Sequence, residues 1–337
     1  MPIPETLKVY AAQLGYPDSK TLEKILVILF NTEKKIKIAA ALPGTIEEII
    51  NKTGFTELEA KDTIEELHRE GAINQRLHDN RTYRLYPGMI EIRDAVVINP
   101  DVSDEVVKLW DDVVRKEFAK TVPFLEKLGI PPLMRVVPIE ETVESEGTVL
   151  DADSARKILN DADQIVAIPC ACRTTARVVG RGADCPAPDD VNLCMMINKF
   201  ADEAISRKIG EVLTSAEALR RLEMAEDAGL VHLTRNNIKK DMIMCNCCAC
   251  CCTGLFMLNE VNYAAFAPSR FRVKLDEDEC TGCETCVDRC QFHAIEVDDI
   301  AIIDNEKCFG CGVCVPTCPS EALTLEEIRP KEHIRVT

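Results

Sequence analysis

The stretch that decides the fold near the C-terminal end is CTGCETCVDRC at residues 280–290, followed by CFGCGVCVPTCP at residues 308–319. Both runs have the spacing C-x2-C-x2-C-x3-C, and the second begins 28 residues after the first. The repeat continues past the cysteines, because Ala294-Ile-Glu-Val corresponds to Ala322-Leu-Thr-Leu. Two copies of one pattern predict a domain built from two equivalent halves.

Three thiolates at this spacing wrap one corner of an iron–sulfur cube, and the fourth cysteine of each run ligates the other cluster. The pattern therefore predicts two [4Fe–4S] clusters with crossed ligands. The first cysteine set is Cys280, Cys283, Cys286 and Cys318. The second cysteine set is Cys308, Cys311, Cys314 and Cys290. Zinc ribbons are the alternative, although they use two separated C-x2-C pairs rather than a dense run of four thiols.

These runs resemble bacterial two-cluster ferredoxins over residues 275–330. The resemblance implies a ferredoxin-like domain that carries electrons one at a time at low potential. All-cysteine cubanes lie toward the negative part of a span of roughly −700 to +450 mV. The first run departs from the family at Gln291, where proline is usual, which alters the local turn but removes no ligand.

Ten further cysteines lie upstream: Cys170, Cys172, Cys185, Cys194, Cys245, Cys247, Cys248, Cys250, Cys251 and Cys252. Soft thiolates at this density select iron–sulfur clusters, zinc or copper(I), and an attached ferredoxin-like domain favours iron–sulfur. Two ordinary cubanes would use eight of the ten thiols. Clusters with extra thiolates, as in heterodisulfide-reductase-type domains, would use all ten. We therefore expect one or two additional [4Fe–4S]-type clusters, and spacing alone does not assign their ligands.

The sequence Ile168-Pro-Cys-Ala-Cys-Arg173, followed downstream by CNCCACCC at residues 245–252, resembles uncharacterised 4Fe–4S ferredoxin-type proteins of anaerobic bacteria and archaea. The similarity extends from about residue 90 to the C-terminus and implies anaerobic metabolism without naming a reaction. Arg173, Arg177 and Arg181 follow the first cysteine pair. They either neutralise cluster charge, bind an anionic group or form a solvated basic loop.

The N-terminal region has helical patterns at residues 21–30, 45–50 and 56–70, followed by two strands of a hairpin within residues 72–86. This order resembles a winged-helix domain. Such domains place the third helix in the major groove of DNA, but here that helix carries six acidic and two basic residues. Its charge disfavours DNA binding despite Arg76, Arg81 and Arg84 on the hairpin, and favours a protein-docking or packing role.

The chain is predicted to be an α+β multidomain protein. Its predicted divisions are a winged-helix-like domain at 1–90, a connector at 91–150, a cysteine-rich α/β domain at 151–268 and a two-cluster ferredoxin domain at 269–337. Within the cysteine-rich α/β domain we expect strands at 164–168 and 230–234, a helix at 191–205 that carries Cys194, and a capped helix that starts at Thr214.

All 18 cysteines lie between Cys170 and Cys318 in a chain of 337 residues with no recognisable secretory leader, so disulfides are not expected and a cytoplasmic location is. No apolar run reaches the roughly 18 to 20 residues of a membrane span. The formal net charge is −17, and residues 275–337 hold 15 acidic and five basic side chains. This charge predicts a redox partner with a basic docking patch rather than nucleic acid.

The sequence contains no G-x-G-x-x-G after a strand, no P-loop and no haem motif, so flavin or nicotinamide chemistry is expected on another chain. The partner would then be a flavoprotein or a metalloenzyme. Three hypotheses follow. The first is an electron-transfer protein or subunit. The second is an iron–sulfur reductase with its own site among the upstream cysteines, and the third is a redox-responsive winged-helix regulator. The sequence identifies no catalytic residue, and it favours the first hypothesis.

Overall fold

The computed structural model describes residues 3–76, 81–139, 154–239 and 242–336. The chain divides into two compact units. Unit 1 comprises Met1–Thr121, Pro169–Gly180 and Asp202–Ile209. Unit 2 comprises Val122–Ile168, Arg181–Ala201 and Gly210–Thr337. This grouping differs from the four divisions expected from the sequence, whose boundaries stay a prediction.

The helices are, in chain order, α1 (Glu5–Gln13), α2 (Lys20–Leu29), α3 (Glu33–Ala41), α4 (Ile46–Thr53), α5 (Glu57–Glu70), α6 (Met89–Val97), α7 (Asp104–Asp112), α8 (Ala119–Lys127), α9 (Ala155–Asn160), α10 (Ala171–Val178), α11 (Ala201–Ser206), α12 (Ser215–Asp227), α13 (Thr253–Asn259) and α14 (Thr285–Arg289). A π-helical segment, Val113–Phe118, joins α7 to α8. No helix of the described ranges combines the length and apolar character needed to cross a bilayer.

The strands are β1 (Asn74–Arg76), β2 (Thr82–Arg84), β3 (Met134–Val137), β4 (Ile165–Ile168), β5 (Cys194–Ile197), β6 (Glu211–Leu213), β7 (Val231–Arg235), β8 (Ile243–Cys247), β9 (Phe266–Ala267), β10 (Phe271–Leu275), β11 (Ile295–Val297), β12 (Ala301–Ile303) and β13 (Leu323–Glu327). Strands β1 and β2 form the antiparallel hairpin of unit 1. The remaining strands belong to unit 2.

Local signals in the sequence set the helix ends of unit 1. Thr45 and Thr56 form capping boxes with the glutamates three residues later, and α4 and α5 end at left-handed glycines. A side-chain cap of this kind contributes about 1 kcal/mol. The helices expected at 21–30, 45–50 and 56–70 and the hairpin are therefore confirmed as elements, joined by α1 and α3. Their assembly into a winged helix stays a prediction.

Unit 2 is built on a sheet whose described strands run in the order β6-β4-β5-β8-β7-β3-β9. Its pairs are antiparallel apart from β3 with β9. Alternate residues face opposite sides of a strand, so Val137 joins a core with residues of α9 and α12. Val136 joins a second core with α13 and with Phe292 and Val313 of the C-terminal segment. The sheet is thus covered on both faces.

The helix expected at 191–205 is wrong in its first half. Residues Cys194–Ile197 form β5, followed by a 3-10 turn at Asn198–Phe200, and only Ala201–Ser206 is α-helical. β5 lies between β4 and β8 in the middle of the sheet. A short apolar run buried on both sides does not reveal by its periodicity whether it is helix or strand.

The C-terminal segment consists of two antiparallel strand pairs, β10 with β13 and β11 with β12. The two stretches that repeat each other in sequence both contribute strands, β11 and β13. Phe271, Ile295 and Leu325 are central members of its apolar core, which also contains Cys286 and Cys314. The segment is joined to the sheet by a hydrogen bond of 3.0 Å from the Ile139 amide to the Cys311 carbonyl.

Candidate metal centres

The first cysteine set lines one cavity in the C-terminal segment. Three of its members come from the first cysteine run, and Cys318 reaches the cavity from the second run. The cavity is partly open to solvent, and Leu275, Val297 and Leu323 contribute apolar walls. Four thiols around one apolar cavity fit a cube of iron and sulfide. This grouping agrees with crossed ligation, which itself stays a prediction.

The first cysteine set is close to solvent. Cys283 is exposed, and its Sγ lies 3.5 Å from the Thr285 hydroxyl, a hydrogen bond that lowers the pKa of the Cys283 thiol. The Ala301 amide donates to the Cys280 Sγ at 3.4 Å. Hydrogen bonds to sulfur and solvent exposure both set the potential of a cluster. A cluster here would therefore exchange electrons at the protein surface.

The second cysteine set lies deeper. The pKa of the Cys311 thiol is raised to about 12, mainly by burial and also by the nearby thiols of Cys290 and Cys308. Burial also raises the pKa of the Cys314 thiol, and the nearby thiols of Cys311, Cys290 and Cys308 contribute to this rise. The Ala294 amide donates to the Cys290 Sγ at 3.3 Å. The structure brings all four members together and gives them a more buried environment than the first set has.

Glycines allow both cysteine runs to curl around their sites. Gly282 and Gly310 occupy equivalent positions in the two repeats, with φ of +65° and +63°. Each packs against a main-chain carbonyl: a Cβ would lie 2.4 Å from the Asp299 oxygen at Gly282 and 2.0 Å from the Phe271 oxygen at Gly310. Only glycine fits a left-handed position that approaches backbone so closely.

Four upstream cysteines form the close cysteine group: Cys185, Cys248, Cys250 and Cys251. Their four Sγ atoms all lie within 4.8 Å of one another. The Sγ of Cys248 is 3.2 Å from that of Cys250 and 3.6 Å from that of Cys185. Hydrogen bonds with Cys248 and Cys251 lower the pKa of Cys250 to about 4, and hydrogen bonds with Cys248 and Cys250 raise the pKa of Cys251. The group is suited to bind a positive ion.

Four other upstream cysteines form the strand cysteine group: Cys194, Cys245, Cys247 and Cys252. In the pairing of β5 with β8, Met195 is opposite Met244, so the next position along this register sets Cys194 opposite Cys245. The fully buried Asn246 secures this register, because its amide donates to the Leu193 carbonyl at 2.6 Å.

The members of the strand cysteine group also touch one another. The thiol of Cys247 is hydrogen-bonded to those of Cys245 and Cys252 and lies within electrostatic range of Cys194. The contact with Cys245 is the main cause of a raised pKa at Cys247. Because side chains alternate along β8, Cys245 and Cys247 share one face of the sheet, and Asn246 occupies the other. Sequence spacing alone did not separate these cysteines from the close cysteine group.

The two remaining upstream cysteines, Cys170 and Cys172, belong to unit 1. Arg93 is 2% exposed, and its guanidinium donates to the Cys172 Sγ at 3.6 Å and to the Thr175 hydroxyl at 3.1 Å. Burial lowers the pKa of Arg93, but the nearby Cys172 sulfur and Asp94 outweigh it, and the net pKa is raised. Sequence reasoning missed Arg93. The available signal was an arginine among the three charged residues of the α6 sequence MIEIRDAVV.

The three arginines after this pair have different environments. Arg173 is buried, Arg177 is exposed and Arg181 is half-buried. Arg173 and Arg177 belong to unit 1, whereas Arg181 belongs to unit 2. They therefore do not form one basic loop of uniform exposure.

Gln291, which replaces the usual proline beside Cys290, makes three hydrogen bonds to the cysteine-rich part of unit 2. Its side-chain oxygen accepts from the Ala249 amide at 2.7 Å, and its side-chain nitrogen donates to the Gly229 carbonyl at 3.1 Å. Its main-chain carbonyl accepts from Asn259 at 3.0 Å. Ala249 lies between two members of the close cysteine group. Gln291 therefore links the ferredoxin-like segment to the part of the chain that carries the upstream cysteines.

Comparison with known proteins agrees with this geometry. Residues 273–296 and 301–324 match the family of 4Fe-4S binding domains. No curated protein and no solved structure matches the chain. Residues 273–324 are thus a 4Fe-4S binding domain, and together with the upstream cysteines they indicate an iron–sulfur electron-transfer role.

Proposed function

We propose that the protein is an iron–sulfur electron-transfer protein or subunit that carries low-potential electrons between a donor and a catalytic partner in anaerobic metabolism. The observation that carries this proposal is the cavity lined by the first cysteine set, which draws cysteines from both runs around one space. When bound, each cluster takes up and releases one electron. The residues of the chain hold it, tune it through hydrogen bonds to sulfur, and shield it from water.

The different solvent exposure of the two cysteine sets indicates the order in which electrons would reach them. The first cysteine set opens to solvent at Cys283, whereas no member of the second set is exposed. Three members of the second set, Cys290, Cys308 and Cys311, are partly buried in an apolar cluster of the sheet. Cys286 of the first set and Cys314 of the second share one apolar core. Electrons would therefore pass between the surface and the interior through these two sets. No bound substrate is required for this step.

The strand cysteine group extends this path. Cys245, Cys247 and Cys252 pack in the same apolar cluster as Cys290, Cys308 and Cys311 of the second set. Within that cluster the rings of Phe292 and Phe309 stack with centroids 4.7 Å apart. Among the described residues, the sulfurs of the strand cysteine group are not all gathered within 4.8 Å of one another, unlike those of the close cysteine group. We propose that this more open strand cysteine group holds one additional [4Fe–4S]-type cluster. Its position beside the second set would make it the inner end of the path.

The surface around Cys283 predicts the charge of the partner. The exposed side chains that flank the first cysteine set are Asp276, Glu277, Asp278, Glu279, Glu284 and Asp288. A partner with a basic patch would be drawn to this surface, at a rate that falls as salt rises. A flavoprotein or a metalloenzyme fits this role, because the sequence carries no flavin or nicotinamide motif of its own.

The proposal is tested by the iron and acid-labile sulfide content of anaerobically purified protein, with EPR during a potentiometric titration. We expect about 12 iron atoms per chain, for two ferredoxin clusters and one more, and reversible reduction at low potential. Fewer than about eight iron atoms, or clusters that do not reduce reversibly, would contradict an electron-transfer role.

A reductase with its own site among the upstream cysteines is the second candidate. It is favoured by the number of thiols, since ten lie outside the ferredoxin-like runs. Such an enzyme would bind its substrate at a cluster. Adding an organic disulfide such as cystamine should then change the EPR signal of the upstream cluster, whereas an electron-transfer protein should show no change.

We also infer that α2, α4, α5 and the β1–β2 hairpin form a winged helix that docks protein rather than DNA. The acidic side chains of α5 are largely exposed, and Lys35 is paired with Glu66 and Glu70 at 3.0 and 2.7 Å rather than offered to a ligand. A gel-shift assay with mixed-sequence duplex DNA at low salt should show no complex. A salt-sensitive shift would revive the regulator hypothesis.

A further inference from the structure

The close cysteine group differs in geometry from the first cysteine set. Its Sγ–Sγ contacts include 3.2 Å between Cys248 and Cys250 and 3.6 Å between Cys250 and Cys251. Within the ranges that the structure describes, no other group of three or more His, Cys, Asp or Glu ligand atoms is gathered within 4.8 Å. The members of the first cysteine set line one cavity without being gathered so closely. The two sites therefore differ in the spacing of their thiols.

This difference decides what each site accommodates. In a [4Fe–4S] cube each thiolate binds a different iron atom, and this holds the four thiolates well apart. Four thiolates that share one ion are closer, since a Zn–S bond of about 2.3 Å places tetrahedral sulfurs about 3.8 Å apart. The contacts of the close cysteine group match the single ion. We propose that Cys185, Cys248, Cys250 and Cys251 bind one Zn²⁺ ion in a tetrahedral four-thiolate site.

The local backbone explains how this spacing arises. The amides of Cys251 and Cys252 donate to the Cys248 carbonyl at 3.4 and 3.0 Å, which folds the chain after β8 into a tight turn. The turn brings thiols at C-x-C-C spacing together, although zinc sites more often use cysteines two to four residues apart. Cys185 completes the site from the loop between α10 and β5.

A zinc ion at this position would be structural. All four ligands are thiols, so no coordination position is left for water or substrate. The ion would tie the loop around Cys185 to the turn that follows β8, and Gln291 binds the same turn through the Ala249 amide. Zinc does not change oxidation state, so this site lies outside the electron path. The proposal holds whether or not the protein transfers electrons.

Adjacent residues supply matched variants for the test. Cys248 belongs to the close cysteine group and Cys247 to the strand cysteine group. Zinc and iron are measured by elemental analysis on full-length protein purified anaerobically, as wild type, Cys248→Ala, Cys250→Ala and Cys247→Ala. We expect about one zinc ion per wild-type chain. Cys248→Ala and Cys250→Ala should lose the zinc and keep the iron, whereas Cys247→Ala should keep the zinc and lose iron.

Loss of iron without loss of zinc in Cys250→Ala, or wild-type protein without zinc, would overturn the proposal in favour of a cluster or a single iron. If the variants do not accumulate, wild-type protein grown with cobalt decides. Tetrahedral cobalt–thiolate absorption bands support the site, and their absence overturns it. EPR of the reduced ferredoxin clusters in the same samples reports the proposed function separately, because those signals do not depend on the zinc.

Discussion

Replacing Cys318 with alanine is expected to abolish the EPR signal of the cluster held by the first cysteine set and to leave that of the second set intact. The reason is that Cys318 lines the same cavity as Cys280, Cys283 and Cys286, although it lies in the second run of the sequence. Cys283→Ala should therefore remove the same signal as Cys318→Ala. By the same reasoning, Cys290→Ala should remove the signal that Cys311→Ala removes.

The iron content should fall by between about one and four atoms in each variant, according to whether a three-iron cluster survives. Ser320→Ala is the matched control, because its hydroxyl lies 3.7 Å from the Cys318 Sγ and is not a ligand. This control should keep the full iron content. If Cys318→Ala and Cys311→Ala instead remove one and the same signal, each run holds its own cluster and crossed ligation is wrong.

Gly310→Ala is expected to prevent the second cysteine run from closing around its cluster. An alanine at φ +63° would place its Cβ 2.0 Å from the Phe271 carbonyl oxygen and 2.5 Å from the Ser269 Oγ. The left-handed conformation alone costs a residue with a side chain about 1 to 3 kcal/mol. The collision with the backbone of β10 adds to it. We expect loss of about four iron atoms per chain and a lower temperature of thermal unfolding.

Gly129→Ala separates the two causes. Gly129 has φ +67°, nearly that of Gly310, but a Cβ there would meet nothing within 4 Å. Its variant should carry only the conformational cost, keep its iron and lower the unfolding temperature by less than Gly310→Ala does. Equal behaviour of the two variants would show that the contact with Phe271 is unimportant.

The ferredoxin-like segment could be predicted from the sequence because its ligand spacing is local and repeated. The same holds for α4, α5 and α12, whose capping boxes lie within four residues. The division of the upstream cysteines could not be predicted. It depends on the register of β5 with β8 and on a loop that returns Cys185 to the turn after β8, and both are long-range features.

Two polar residues illustrate the same limit. Asn246 gave no signal, yet it is fully buried and sets the register that aligns Cys194 with Cys245. His232, on β7, lies 2.6 Å from the Asn246 side chain and 3.3 Å from Glu226, and so supports that register rather than binding a metal. The spacing of residues along the sequence does not reveal contacts between strands that are distant in sequence.

The hydrogen bonds of Gln291 affect how the protein would work over many cycles. They hold the ferredoxin-like segment against the turn after β8, and the Ile139 amide holds Cys311 from the sheet. Both contacts lie within unit 2. These contacts favour a ferredoxin-like segment that stays in place on the sheet during electron transfer and does not move between donor and acceptor. Exchange of partners at the acidic face, not a domain motion, would then limit turnover. Turnover should therefore fall as solvent viscosity rises, whereas electron transfer within a preformed complex should be insensitive to viscosity.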